Sequence, residues 1–261
     1  MGDMYQLSPN IELLFTEAGP DLADRVRAAA AAGFDAVEMW GTLDRDVPSL
    51  AKALADTGVS MTSVLAEPRT NFAMPWETMD AFFAGLDRGV ENARLLGSPR
   101  IVLGSGSGFG GAKRVKNHER LAEIFSEAVE RTQGSGVKLV LEAVNTRVDH
   151  PGALLDHTAD AVLVARAVGA ESFGLLYDLY HSITQGEDPA AELANAAGLV
   201  DYVQIADAAG RGEPGSGSVD WPARLAELRA AGYDGPLGLE YVPTVETTAS
   251  VEYIRTVAAA A

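Results

Sequence analysis

The sequence contains no cysteine, so disulfides and thiolate metal sites are excluded, and any metal must be held by oxygen or nitrogen ligands. A reducing compartment is permitted, and a cytoplasmic location is the expectation. Basic residues are scarce: 20 Lys plus Arg stand against 37 Asp plus Glu, a formal charge of −17. Such a chain repels phosphate polyanions unless a local basic patch overrides the field, and the densest cluster is only Lys113, Arg114 and Lys116. Nucleic acid is therefore not an expected partner. Long apolar runs are missing too. Nowhere do about 18 apolar residues follow one another without a charge or turn residue, and Met1–Asn10 lacks a basic start followed by an apolar stretch. No membrane association is expected.

What is present is the composition of a globular chain, 47% hydrophobic and 22% charged over 261 residues. Short apolar runs alternate with helical periodicity from end to end. The strand candidates are Tyr5–Ser8, Ala36–Met39, Ser60–Leu65, Arg100–Leu103, Lys138–Glu142, Phe173–Asp178, Val200–Ile205 and Leu237–Glu240. Between them the pattern predicts helices over Asp21–Ala32, Ser49–Asp56, Trp76–Leu96, His118–Thr132, Thr158–Val168, Pro189–Ala197, Trp221–Ala230 and Ala249–Ala258. Several end in glycine, as at Gly33, Gly97 and Gly232, where a left-handed terminal residue is favoured. Eight strand–helix units of roughly 33 residues each indicate an α/β fold, a single-domain (β/α)8 TIM barrel spanning 1–261, rather than an open sheet. The glycine-rich stretch Gly104–Gly111 lacks the Gly-Lys-Ser/Thr ending of a nucleotide loop, and Asn117 and His118 are expected to separate it from the next helix. It reads as a lid over the barrel mouth or as a plain connector.

In such a barrel the reacting groups come from the C-terminal ends of several strands. Four polar residues end apolar runs there: Glu142, Asp178, Gln204 and Glu240. An uncompensated buried carboxylate costs several kcal/mol, and three on neighbouring strands repel one another. A divalent cation removes the conflict, and three carboxylates with one amide oxygen form a hard donor set suited to Mg²⁺ or Mn²⁺. Each acid alone reads equally as a helix cap or an ion-pair partner. His181, three residues past Asp178, faces the same mouth. Arg211 offers a fork for a substrate oxyanion, or alternatively an ion pair with Glu213 that shapes its loop. His118, His150 and His157 have no companion at ligand spacing and read as surface or capping residues. Trp40 is placed to wall a pocket, whereas Phe72 and Trp76 read as packing residues.

Glu142-Ala143-Val144-Asn145, Tyr177-Asp178-Leu179-Tyr180-His181, Gln204-Ile205-Ala206-Asp207, Arg211-Gly212-Glu213-Pro214-Gly215 and Leu239-Glu240-Tyr241 resemble the strand-end motifs of hydroxypyruvate isomerases. These belong to the xylose-isomerase-like barrels, which include the ketose 3-epimerases. The resemblance implies that Glu142, Asp178, Gln204 and Glu240 are metal ligands and that Glu142 and Glu240 are also the catalytic acid/base pair. It further implies that His181 and Arg211 contact substrate and that Asp149 is a supporting acid. Gln at position 204, where sugar epimerases usually carry His, points toward small hydroxy-oxo acids. Hydroxypyruvate isomerases usually show a His-Asn segment after strand three, whereas this chain reads Ser63-Val64-Leu65-Ala66-Glu67-Pro68-Arg69.

The implied activity is a divalent-metal-dependent isomerisation of a small-molecule hydroxy-oxo acid or sugar through a cis-enediolate, with a homo-oligomer allowed. Two rivals are a ketose 3-epimerase on free sugars and a catalytically silent sugar-binding barrel, the latter expected to have lost at least one of the acids. A phosphodiesterase or abasic-site endonuclease on the same barrel needs a His-rich metal cluster and a basic face, and four histidines with a charge of −17 argue against it. Arg211 or Arg69 would offset the acidic field locally for an anionic substrate.

Overall fold

The computed structural model describes residues 4–74, 78–107, 112–208 and 210–260. Trp76 and residues 108–111 of the glycine-rich stretch, on which the lid reading rests, lie outside the described residues. The strands are β1 (Leu7–Pro9), β2 (Ala36–Val37), β3 (Ser60–Met61), β4 (Val64–Leu65), β5 (Arg100–Gly104), β6 (Lys138–Glu142), β7 (Phe173–Asp178), β8 (Val200–Ile205) and β9 (Leu237–Leu239). Every pairing is parallel. Seven strands form one curled sheet in the order β1-β9-β8-β7-β6-β5-β4, and β2 pairs with β3.

The ring closes through short links. Leu7 of β1 stands opposite Leu237 of β9, and Asn10, just past β1, bridges Glu38, just past β2. The predicted strand Ser60–Leu65 is split because its first half pairs with β2 and its second half with β5. Met39 N still donates to Ser63 O at 3.3 Å and Leu65 N to Trp40 O at 3.2 Å, so β3 and β4 together fill one barrel position. The ring thus has the eight positions the alternation predicts, a TIM barrel.

Alternation along the strands sorts residues between two cores. Val102, Val140, Leu176 and Tyr202 point into the barrel and pack together, while Leu139, Leu141 and Leu175 face the surrounding helices. The helices turn apolar stripes inward: Leu22–Ala31, capped by Asp21 accepting from Ala23 N at 2.9 Å, buries Leu22, Ala23, Val26 and Ala29. Gly33, Gly97 and Gly232 have φ of 81°, 67° and 83°, as expected of helix-ending glycines.

The helices depart from the sequence reading in several places, the last of them being split into Thr247–Ser250 and Glu252–Ala260. The fourth helix starts at Arg114, so Asn117 and His118 lie inside it and do not separate it from the glycine-rich stretch. Arg114 ties its start to Asp160 and Asp156, an anchorage contributed from another part of the chain. A further helix, Leu179–Gln185, follows β7 without a loop. Seven residues starting directly at a strand end are too few to show periodicity.

Candidate active site

The strand ends deliver the polar residues to one mouth. Glu142 ends β6, Asp178 ends β7, Gln204 lies near the end of β8, and Glu240 follows β9 by one residue. Glu142, Gln204, Glu240, His181 and Arg211 all line one cleft of about 460 Å³, a volume suited to a small metabolite. Ligand atoms of Glu142, Asp178 and His181 lie within 4.8 Å of one another.

Asp178 does two things at once. Its Oδ1 caps the helix Leu179–Gln185, accepting from Tyr180 N at 2.8 Å and His181 N at 3.2 Å. Its Oδ2 turns to the mouth, 3.7 Å from His181 Nε2 and 3.9 Å from Arg211 Nη2. The cap and the site are therefore the same carboxylate.

His181 is buried, and its tautomer follows from its partners. Asn145 Nδ2 (2.7 Å) and Asn145 N (3.3 Å) both approach Nδ1 as donors. The Asn145 orientation is itself held, since its Oδ1 accepts from Val148 N and Asp149 N while Nδ2 also donates to Asp149 at 2.7 Å. Nδ1 is thus an acceptor, and the proton of the neutral ring sits on Nε2, which points to Glu142 at 3.6 Å. Burial, with Arg211 and His150 nearby, pushes the His181 pKa down to about 2, so the ring stays neutral. Burial works against ionisation of Asp149, but hydrogen bonds from Asn145 and Tyr180 outweigh it and hold its pKa below the usual value.

Arg211 Nη2 pairs with Glu240 at 3.2 Å, and its guanidinium lies 5.2 Å from the Tyr180 ring centre. It does not pair with Glu213, whose carboxylate accepts instead from Thr244 N at 2.9 Å. Arg211 has φ of 54°, a conformation that costs a non-glycine residue about 1–2 kcal/mol. Its loop is pinned by Asp207 N to Gly212 O and Val242 N to Arg211 O, both 2.9 Å. Buried Asp207 adds acceptors for Gly215 N and Trp221 Nε1. Arg211 Nε is buried with no hydrogen-bond partner among the described residues.

All three carboxylates have raised proton affinity in the metal-free fold. Burial, followed by repulsion from Glu240 and Asp178, keeps the Glu142 pKa well above the usual carboxylate range. Asp178 is pushed up to about 6 by burial despite Arg211, and Glu240 is likewise raised by burial. When ionised, three carboxylates against one guanidinium leave two negative charges in excess. A divalent cation cancels that excess, and the close group of Glu142, Asp178 and His181, with the hard oxygens of Glu240 and Gln204 on the same mouth, is chemically suited to one.

Several partners escaped the sequence reading. Glu38, fully buried, accepts from Tyr202 OH (2.5 Å), Gln204 Nε2 (2.9 Å) and Asn10 Nδ2 (3.1 Å), and burial with the charge of Glu240 pushes its pKa up to about 8. An acid ending the apolar run Ala36-Val37-Glu38 carried the same signal as Glu142. His150 is not a surface or capping residue: it lines the cleft, with its ring centre 5.3 Å from that of His181. His118 is mostly covered and faces Asp160 at 3.3 Å. Trp40 walls the cleft and donates to Glu240 at 2.7 Å, and Phe72 both lines the cleft and packs on Phe82.

Comparison with known proteins places this geometry among relatives. The family described as "Xylose isomerase-like TIM barrel" matches residues 26–257. A putative hydroxypyruvate isomerase of Streptomyces coelicolor is 34% identical over 251 residues, covering 90% of this chain and 89% of that protein. A 2-oxo-tetronate isomerase of Cupriavidus necator is 28% identical over 259 residues, covering 97% of this chain and 98% of its own. Among solved structures, an AP endonuclease, family 2, from Brucella melitensis superposes with a TM-score of 0.86 at 25% identity, covering 97% and 99% of the two chains. An L-ribulose 3-epimerase superposes at 0.82 with 22% identity, covering 99% and 95%, a likeness of fold. Among the described residues no helix is long and apolar enough to cross a membrane.

Proposed function

We propose, from the premise that this chain belongs to the xylose isomerase-like TIM barrel family, that it is a metal-dependent isomerase of a small hydroxy-oxo acid. The observation that carries the reading is that Glu142 and Glu240 line one small cleft with the neutral His181 imidazole and the Arg211 guanidinium, and that the buried Asp178 carboxylate stands against His181 and Arg211 beside it. The names of the relatives, hydroxypyruvate isomerase and 2-oxo-tetronate isomerase, support the substrate class.

Glu142, Asp178, Gln204 and Glu240 would hold the cation. Mg²⁺ or Mn²⁺ bound there supplies Lewis-acid polarisation of a carbonyl and its neighbouring hydroxyl. Glu142 and Glu240 are the acid/base pair: one takes a proton from the hydroxyl-bearing carbon and the other returns one to the former carbonyl carbon. Between the two transfers the substrate is a cis-enediolate, and the hydroxyl proton passes to the former carbonyl oxygen. Positioned carboxylates of this kind relay protons between neighbouring carbons as general acid and base. His181 donates from Nε2 and Arg211 from its guanidinium to the oxygens on which charge develops. Arg69, exposed on the cleft wall without an ion pair among the described residues, favours a substrate carboxylate.

The test is chelation followed by Mn²⁺ or Mg²⁺ add-back, with hydroxypyruvate, a 2-oxo-tetronate and simple ketoses incubated in D₂O and followed by NMR. Expected is isomerisation of the acids, with deuterium entering at the carbon beside the carboxylate-bearing end, only when metal is present. Full activity in metal-free protein overturns the metal requirement. Exchange confined to C3 of ketoses makes the protein an epimerase, and binding without exchange makes it a silent barrel.

A further inference from the structure

Glu38 does not line the cleft, yet it is a wholly buried carboxylate directly behind it. All four of its polar neighbours donate to it. Gln204 Nε2 (2.9 Å) and Asn10 Nδ2 (3.1 Å) meet Oε1, whereas Tyr202 OH (2.5 Å) and Ser63 Oγ (3.4 Å) meet Oε2. The network continues down the barrel axis from Tyr202 OH to Thr62 Oγ1 (2.9 Å) and on to Ser8 Oγ (2.6 Å). The slot is tightly filled. A Cβ on Gly238 would lie 2.4 Å from Glu38 Oε2 and 2.8 Å from Gln204 Cγ, so only glycine at that point of β9 leaves room for both side chains.

A glutamine side chain has two ends of nearly equal shape and opposite chemistry, and its hydrogen bonds decide which end faces where. Only the oxygen end can ligate a cation; the NH₂ end would repel it. Glu38 Oε1 faces two amide NH₂ groups and accepts from both whether or not Oε2, which faces two hydroxyls, carries a proton; it takes the NH₂ end of Gln204 and turns the amide oxygen away from itself.

We propose that Glu38 is a positioning residue that binds the Gln204 amide nitrogen and so commits the Gln204 oxygen to the cleft, where it completes the oxygen donors of Glu142, Asp178 and Glu240. The inference rests on the metal reading of the preceding section. It explains why a buried acid with no contact to the cleft is retained beside an amide, and it gives the Asn10 end of β1 a part in the site.

The test reads Mn²⁺ affinity, by titration calorimetry or by the EPR signal of free Mn²⁺, so it does not depend on turnover. Glu38→Gln keeps an acceptor oxygen for Gln204, its own NH₂ turning to Tyr202, whose hydroxyl can accept it and donate onward to Thr62. Its affinity should stay near that of the wild type. Glu38→Met fills similar volume without an acceptor and should bind Mn²⁺ about 10–100-fold more weakly, the range seen when an outer partner of a metal ligand is lost. Gln204→Glu added to Glu38→Met places oxygen at both ends of the side chain and should recover most of that loss.

Wild-type affinity in Glu38→Met overturns the proposal. So does a loss in Glu38→Met that Gln204→Glu fails to recover while near-ultraviolet circular dichroism shows both variants folded, because Glu38 then merely supports the barrel. A measurement on the wild type is independent of any folding defect. The Gln204 side-chain amide protons, assigned by their disappearance in Gln204→Glu, should exchange slowly in metal-free protein; fast exchange overturns the proposal. A wild type that binds no Mn²⁺ removes the metal reading itself, and the inference falls with it.

Discussion

The C-terminal half of the barrel, β6 to β9, places Glu142, Asp178, Gln204 and Glu240 at its strand ends, whereas the N-terminal half, β1 to β4, meets Gln204 through Glu38, itself held by Asn10 and Ser63, and Glu240 through Trp40. In the first set Glu142, Gln204 and Glu240 line the cleft; in the second Glu38 is wholly buried behind it, and Asn10, Ser63 and Trp40 serve as hydrogen-bond donors. The contrast separates groups whose charge changes during a reaction from groups that fix where those charges sit. Substitution in the first set should remove chemistry, and substitution in the second should weaken it by the worth of one contact.

The sharpest division is expected at the glutamates. Glu142→Gln and Glu240→Gln should each lower turnover by about 10²–10⁴-fold, the range of general acid/base catalysis, while circular dichroism shows an intact fold. Near-normal kcat in either would erase the distinction between the halves. Trp40→Phe removes one hydrogen bond to a charged group, worth about 1.5 kcal/mol, and should lower kcat/KM roughly tenfold. A loss as large as that of Glu240→Gln would move Trp40 into the reacting set. Arg69→Ala should raise KM for a carboxylate-bearing substrate by about threefold, as befits an exposed charge, and leave a neutral ketose unaffected. Equal effects on both would remove the charge argument for the substrate class.

The smallest effect is on stability. Asp178 at about 6 and Glu38 at about 8 hold protons in the fold that the unfolded chain has released by about pH 5. Their contribution is complete below about pH 4 and is lost as pH rises through 6 and then 8. His181, kept neutral in the fold while the unfolded chain protonates its imidazole below about pH 6.5, works the other way up to that pH. The Tm of metal-free protein should therefore fall by a few degrees between about pH 6.5 and 8, which differential scanning fluorimetry reads directly. Mn²⁺ should raise Tm more at pH 8 than at pH 5, since at the higher pH it displaces fewer protons. A metal-free Tm that rises across this window contradicts the raised proton affinities of both halves.

Much of the site was legible because it obeys one rule: an acid closing an apolar run must be compensated. Glu142, Asp178 and Glu240 stand out on that ground, and Arg211 and His181 follow by proximity in the chain. Glu38 obeys the same rule, but it stands inside the predicted strand Ala36–Met39 and not at its end, and its partners Asn10, Tyr202 and Gln204 are distant in sequence. Asn145, Asp207 and His150 carry no such mark, since an amide, an acid or an imidazole in a loop is indistinguishable from a solvated one until its neighbours are known. The helix Leu179–Gln185 was hidden by its shortness, and Asp178, read as either cap or ligand, serves as cap through one oxygen and faces the mouth with the other.

The order of apolar runs and turn residues by itself determined an eight-position parallel barrel and the strand ends on which polar groups would gather, because strand and helix periodicities and glycine-ended helices are local properties of the chain. Which end of Gln204 faces the cleft, which nitrogen of His181 carries the proton, and which acids share a field were decided only by the closed ring. Those choices depend on donors and charges such as Glu38, Asn145 and Arg211, which come within hydrogen-bond and Coulomb range only when strands distant in sequence are neighbours in space.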